Sequence, residues 1–259
     1  METLVYVDPS PRGEWALALL ALLPPERRRE VCLVATAEDH EAHPGLTDRA
    51  RDRLQQAGAE RVRVQVAPGP AERAVADAAR ASGFDLLVVP PAGRNALQRM
   101  LKGSRVASVV RSVRAPVLVA RRPPARLERI LAAVSGHAST QVVAAAAAEL
   151  GLALQARVTY VHVASEVLLP YGPGQLSLDQ ESAPLQRLRE RLRAAGHEAE
   201  LLLRAGLTVD EVLEEFESGA HQLLVLGGQG EPAESAWARE DVTERLLLRC
   251  PGSTLIVPA

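Results

Sequence analysis

The chain has 259 residues, 47% of them hydrophobic and 3% aromatic, with a formal net charge of −2. That length builds one large domain or two of ordinary size. The charge balance excludes a general nucleic-acid binder, which would be clearly basic, and so few aromatics supply no stacking platform for single strands. The 30 basic residues include a single lysine, Lys102, a composition bias rather than a chemical signal. Cys32 and Cys250 lie in apolar runs without metal or redox spacing and read as buried small hydrophobes. The first residues carry neither a basic region nor an apolar signal core. No run approaches the roughly 18 apolar residues of a membrane span. The expectation is a soluble cytoplasmic protein with neither nucleic acid nor membrane as partner.

Strand-like runs alternate with helix-length segments twice, in the same order. In the first half, strands are expected at 4–7, 31–35, 62–66, 86–89 and 117–120. Helices fall between them near 14–23, 47–57, 71–81 and 104–113. The second half repeats this with strands at 130–134, 157–163, 200–203, 223–226 and 254–257. Its helices are expected near 140–150, 180–195, 209–217 and 241–249. Such alternation means βαβ units and parallel sheets buried on both faces. Asp8 and Ser135 end the first strands of the two halves at an offset of 127, and Gly93 and Gly230 match at 137. The Pro/Gly-rich stretch 168–178 accounts for the difference. Arg121–Arg126, with its paired prolines, is the linker. The expected fold is α/β: two flavodoxin-like domains, 1–122 and 127–259, each a five-stranded parallel sheet flanked by helices.

The motifs carried by this frame resemble the universal stress protein family in its tandem form. Val5-Tyr6-Val7-Asp8-Pro9-Ser10 is similar to the family's first-strand signature, hydrophobic-Asp-x-Ser. Gly93, Gly103 and Ser104 match the Gly-x9-Gly-Ser part of its nucleotide loop, and Gly93-Arg94-Asn95-Ala96 echoes the loop's start. Ala115-Pro116-Val117-Leu118-Val119 resembles the closing strand. In the second half, Val161-His162-Val163 resembles the second strand and Thr243-Glu244-Arg245-Leu246 the helix after the loop. The resemblance implies a fold of the adenine-nucleotide α-hydrolase type, a role in stress response and ATP or a related adenine nucleotide as ligand, with Mg2+ accompanying the triphosphate. It places the nucleotide in domain 1 on Asp8, Gly93, Arg94, Gly103, Ser104 and Arg105. The corresponding positions of domain 2 are Val163, Gly227 and Gly230. It also implies pairing of the two domains in pseudo-twofold fashion, with a homodimer of chains as a further step.

Both copies depart from the pattern. Pro90 stands where the first loop glycine belongs; proline has no N–H to donate and cannot take φ > 0. In the second half Ser135 replaces the strand-one Asp, and Glu240-Asp241 align with the Gly-Ser pair. Charge separates the copies. Arg94, Arg99, Lys102 and Arg105 give the 93–105 segment a net +4, whereas Glu231, Glu234, Glu240, Asp241 and Arg239 leave 230–241 at −3. Like charges at about 4 Å cost on the order of 1 kcal/mol in water and about 4 near a protein surface. Domain 1 is therefore expected to hold the nucleotide, through ordering of the loop 93–105, and domain 2 to be structural or regulatory.

Asp8 has a second reading, as a residue that caps the turn after its strand. Gly227-Gly228 has one as a tight strand exit, and Ser104 as a plain helix cap. Ser135-Gly136-His137-Ala138-Ser139-Thr140 resembles the pyrophosphate loop of ATP-activating ligases but lacks its second Gly and its Asp. The six histidines show no metal-ligand spacing, and His162 beside Tyr160 reads as a packed residue. No Gly-x-Ser-x-Gly or Cys-His arrangement points to nucleophilic catalysis. The expectation is a non-catalytic protein, with a nucleotide-free interaction module as the alternative and a weak ATPase or ATP-activating enzyme behind it.

Overall fold

A computed structural model of the chain describes residues 1–81, 83–91, 115–134, 139–164, 190, 200–228 and 236–258. By contacts they form two compact units: Met1–Arg126 with Gly252–Leu255, and Leu127–Pro251 with Ile256–Ala259.

The first unit runs β1 (Glu2–Tyr6), α1 (Gly13–Leu22), α2 (Pro25–Arg28), β2 (Glu30–Thr36), α3 (Ala37–Ala42), α4 (Leu46–Gln56), β3 (Arg61–Ala67), α5 (Ala71–Ala81), β4 (Leu86–Val89) and β5 (Val117–Val119). Its strands stand in the order β3-β2-β1-β4-β5, all neighbours parallel. The chain therefore steps outward from β1 to β3 on one side and from β4 to β5 on the other. That reversal opens a crevice at the carboxyl ends of β1 and β4.

The second unit repeats the scheme with β6 (Arg129–Ala133), α6 (Ser139–Leu154), β7 (Arg157–Ala164), β8 (Glu200–Ala205), α7 (Thr208–Ser218), β9 (Leu223–Gly227), α8 (Ala236–Arg249) and β10 (Ser253–Val257). The order is β10-β9-β6-β7-β8, and its crevice lies at the ends of β6 and β9.

Burial follows position in the sheet. Central strands such as β4 and β9 are buried along almost their whole length, as runs of Val and Leu covered on both faces should be. β3 is an edge strand and alternates between exposed and half-buried, with Arg61, Arg63 and Gln65 on its outer face. Such charge on an edge discourages pairing with another chain. Helix α7 shows the matching helical period: Val209, Val212, Leu213 and Phe216 turn inward onto Leu131, Val161, Leu224 and Leu226. Each such side chain contributes about 1.5–3 kcal/mol on burial. Cys250 belongs to this core, and burial pushes the Cys32 thiol above its ordinary value.

One charged cluster is buried with it. Glu215 on α7 is 8% exposed and accepts from Arg204 Nη2 at 2.5 Å. His221 Nε2 lies 3.3 Å from the other carboxylate oxygen and donates to it, since a carboxylate only accepts. This leaves His221 Nδ1 buried without a partner. Burial holds the imidazole below its ordinary pKa, against the pull of Glu215.

Two short helices were not expected from the periodicity, but each carries a local signal. α2 starts with Pro25 in its first turn, and α3 is capped by Thr36, whose Oγ1 accepts from Asp39 N at 3.0 Å. Helix α8 begins at Ala236 rather than at 241, because Ala236-Trp237-Ala238 extends the helix toward its N-terminus. Glu240 and Asp241 consequently fall past its first turn instead of preceding it. The expected helices at 104–113 and 180–195 lie outside the described residues, apart from Glu190, which is helical. No helix among the described residues is long and apolar enough to cross a membrane.

Candidate functional site

The carboxyl end of β1 is built around Asp8. Its Oδ1 accepts from the Ser10 amide at 2.8 Å and from the Ser10 hydroxyl, an Asx turn that fixes the carboxylate just beyond the strand. Ser10 also starts α1: its carbonyl accepts from Gly13 N at 2.9 Å and its Oγ from Arg12 N at 3.2 Å. Among the described residues Asp8 Oδ2 has no hydrogen-bond partner. Asp8 therefore satisfies the turn-capping reading through one oxygen and leaves the second without a partner among the described residues.

Gly13 makes this packing fit. A Cβ there would lie 2.9 Å from Asp8 Oδ1 and closer still to the Asp8 carbonyl oxygen. The helix mouth meets the carboxylate directly, a favourable pairing of negative charge with the helix N-terminus. Sequence reasoning missed Gly13; a glycine opening an apolar helix was the available signal.

The end of β2 adds a second polar group. Thr36 Oγ1 donates to Asp39 Oδ2 at 2.7 Å, and Tyr6 Oη reaches the same oxygen at 3.3 Å. The Thr-x-x-Asp spacing after a strand was legible as a cap. Its tie to Tyr6, the last residue of β1, was not.

At the other side of the crevice β4 exits into Pro90 and Pro91, both buried. Neither has an N–H, so two backbone positions that could face an anion cannot donate. The equivalent exit of β9 is Gly227-Gly228, both half-buried. There Gly228 N donates to Val257 O at 2.6 Å, so this amide serves strand pairing, as a tight exit requires.

In the second unit Val163 is half-buried on β7, in register with Arg204. Beside it, His162 Nδ1 lies 2.8 Å from the carbonyl of Val134 at the end of β6. The nitrogen that meets a carbonyl donates to it, which orients the ring at the strand end. Gly93, Arg94, Gly103, Ser104, Arg105 and Gly230 lie outside the described residues. The structure thus describes Asp8, Val163 and Gly227 of the expected set, and places Asp8 at the crevice of the first unit. Among the described residues no group of three or more His, Cys, Asp or Glu side chains could hold a metal ion.

Comparison with known proteins agrees with the tandem architecture. The universal stress protein family model matches twice, over residues 3–121 and 126–258. No curated protein matches the chain. Among solved structures, a universal stress protein from Archaeoglobus fulgidus DSM 4304 is similar at a TM-score of 0.76 and 14% identity, covering 99% of this chain and 98% of that one. A functionally unknown protein from Pseudomonas aeruginosa PAO1 gives 0.70 at 18% identity, with coverages of 99% and 92%. The cytoplasmic domain of a prokaryotic cation chloride cotransporter gives 0.57 at 15%, with coverages of 98% and 94%. At these identities the likeness is one of fold.

Proposed function

Because the chain belongs to the universal stress protein family, matched in tandem over nearly its whole length, we propose that it is a non-catalytic nucleotide-responsive protein whose first unit binds ATP or a related adenine nucleotide. The observation that carries this reading is Asp8: a carboxylate fixed by Ser10 at the crevice of β1 and β4, with Oδ2 open to a hydroxyl or amine donor. Asp8 would meet the adenosine part, while Gly93, Arg94, Gly103, Ser104 and Arg105 would meet ribose and phosphates. The net +4 of residues 93–105 favours a triphosphate there. Mg2+ would travel with the triphosphate. Turnover of ATP is no part of the proposal.

Calorimetric titration of ATP into the chain tests it, with Gly103→Glu and Asp8→Ala as controls. Heat in the parent chain that both substitutions abolish supports the proposal, and an absence of heat in the parent chain rejects it.

A second reading, a nucleotide-free interaction module, is favoured by one observation. Pro90 and Pro91 are buried where an anion-binding loop would begin, and they remove two donors from it. ATP released on denaturing the purified protein, identified by mass, would reject that module.

A further inference from the structure

We infer that the turn 219–221, which joins α7 to β9 in the second unit, is an acid-sensitive latch: a proton taken from solvent by His221 Nδ1 releases the last turn of α7 from the sheet.

The turn is built around the histidine. The amides of Ala220 and His221 donate to Glu217 O and Phe216 O, both at 3.0 Å, the paired bonds that close a helix through a left-handed residue. Glycine favours that residue's place, yet Ala220 takes it, at φ 50°. The glycine stands one position earlier, at Gly219, whose φ of −77° suits any residue. Space explains the exchange. A Cβ on Gly219 would lie 2.6 Å from His221 Cδ2 and closer still to Nε2. The chain thus clears a seat for the ring and holds backbone strain beside it, and such strain gathers at functional sites.

Charge makes this seat sensitive to a proton. His221 is 6% exposed, and with Nε2 donating to Glu215 its Nδ1 is the nitrogen left to take a proton up. Nδ1 is buried and has no partner among the described residues, so a proton there meets no acceptor. The charged groups acting on the ring are Glu215 of α7, Arg129 of β6 and Glu200 of β8. Arg204 holds Glu215 and also reaches Glu211 at 3.4 Å, while Arg157 holds Glu200 at 2.9 Å. Three arginines and three glutamates balance while the ring is neutral, and its protonation leaves one uncompensated positive charge. Helix α8 leads into Cys250, whose thiol lies in the same core, and its Arg249 faces Asp210 at the far end of α7. Glu214 and Glu217 are exposed. Burial already outweighs the pull of Glu215 and keeps the imidazole below its ordinary pKa. A released ring regains water and takes up its proton more readily, so acid favours release. Release uncovers Phe216, whose ring centroid lies 6.2 Å from that of His221.

Hydrogen exchange of the full chain between about pH 7 and about pH 5, corrected for intrinsic rates, tests the latch. The amides of Gly219, Ala220 and His221 should lose protection about tenfold, while those of residues 130–132 in β6 and 223–225 in β9 keep theirs. His221→Gln, which takes up no proton, should remove the pH dependence. Gly219→Ala, whose methyl occupies the place of the ring, should show at neutral pH the low protection that the parent chain reaches in acid. In the parent chain the imidazole resonances of His221 should titrate at the pH where protection falls, a readout that needs no variant.

Protection at 219–221 that is independent of pH, or that falls equally in His221→Gln, overturns the inference. An equal loss in β6 and β9, which is global unfolding, overturns it as well. So does a Gly219→Ala chain as well protected as the parent, or a His221 titration displaced from the loss of protection.

Discussion

The ends of β1 and β6 occupy equivalent places in two copies of one fold, yet they treat the helix that follows in opposite ways. At β1 the chain turns through Asp8 and Ser10, and Gly13 lets the carboxylate rest on the first turn of α1. At β6 no acid enters the first turn of α6, and Thr140 buries a hydroxyl with no partner among the described residues. The strand exits across each crevice differ as well: two buried prolines after β4, two glycines at β9. Duplication preserved the backbone scheme, while the polar groups at the crevices were redistributed. The first unit keeps a fixed carboxylate and a basic loop sequence. The second keeps glycine at its strand exit.

The largest effect should come from putting a side chain where the two halves differ most. Gly13→Val drives a Cβ into the Asp8 backbone and should cost about 3 kcal/mol or more. The reciprocal change, Thr140→Gly, should cost about 1 kcal/mol or less from helix propensity. Thermal denaturation of both variants measures the contrast, and similar losses would dissolve it.

Exchanging the strand exits comes next. Gly228→Pro removes the donor to Val257 O and should cost about 1–3 kcal/mol in denaturant titration. Pro90→Gly should lower stability by about 0.4–1 kcal/mol through the unfolded chain. It should also raise ATP affinity by up to about tenfold, the worth of one restored backbone donor. Unchanged affinity in Pro90→Gly would show that the nucleotide does not reach this exit.

The smallest expected effect is confined to the second unit and depends on pH. Burial holds the folded His221 below its ordinary pKa, so the unfolded chain takes up a proton at a pH where the folded chain does not. Stability from this site is therefore full above about pH 6.5, the unfolded value, and is lost as pH falls below it. His221→Gln should flatten the slope of stability against pH in that acidic window. A slope that persists unchanged would assign the effect to other groups.

Much of this architecture was legible in the sequence, because Val- and Leu-rich runs alternating with amphipathic stretches have few other solutions. Leu86–Val89 and Ala71–Ala81 fall at their expected bounds. The start of α8 was misplaced, since Glu240-Asp241 was aligned with a Gly-Ser pair and Ala236-Trp237-Ala238 was not weighed as helix. Asp8 was legible as a strand-end acid, but its division into one oxygen for the turn and one without a partner depends on where Ser10 folds back. Gly13 escaped notice, and Thr140 entered only as the end of the Ser135–Thr140 stretch, for a similar reason. Their meaning lies in what a Cβ or a hydroxyl meets across a turn, and spacing alone does not encode that. The Arg204–Glu215–His221 cluster joins β8, α7 and the turn that follows, and in the sequence nothing sets the buried Glu215 apart from the exposed Glu214 and Glu217 of the same helix.

The central claim is that adenine nucleotide goes to the first unit through Asp8. Calorimetric titration of ATP into the chain tests it most directly. The account predicts one ATP per chain, with binding abolished when Asp8→Ala is added. Absence of heat, or heat that Asp8→Ala leaves unchanged, would contradict it.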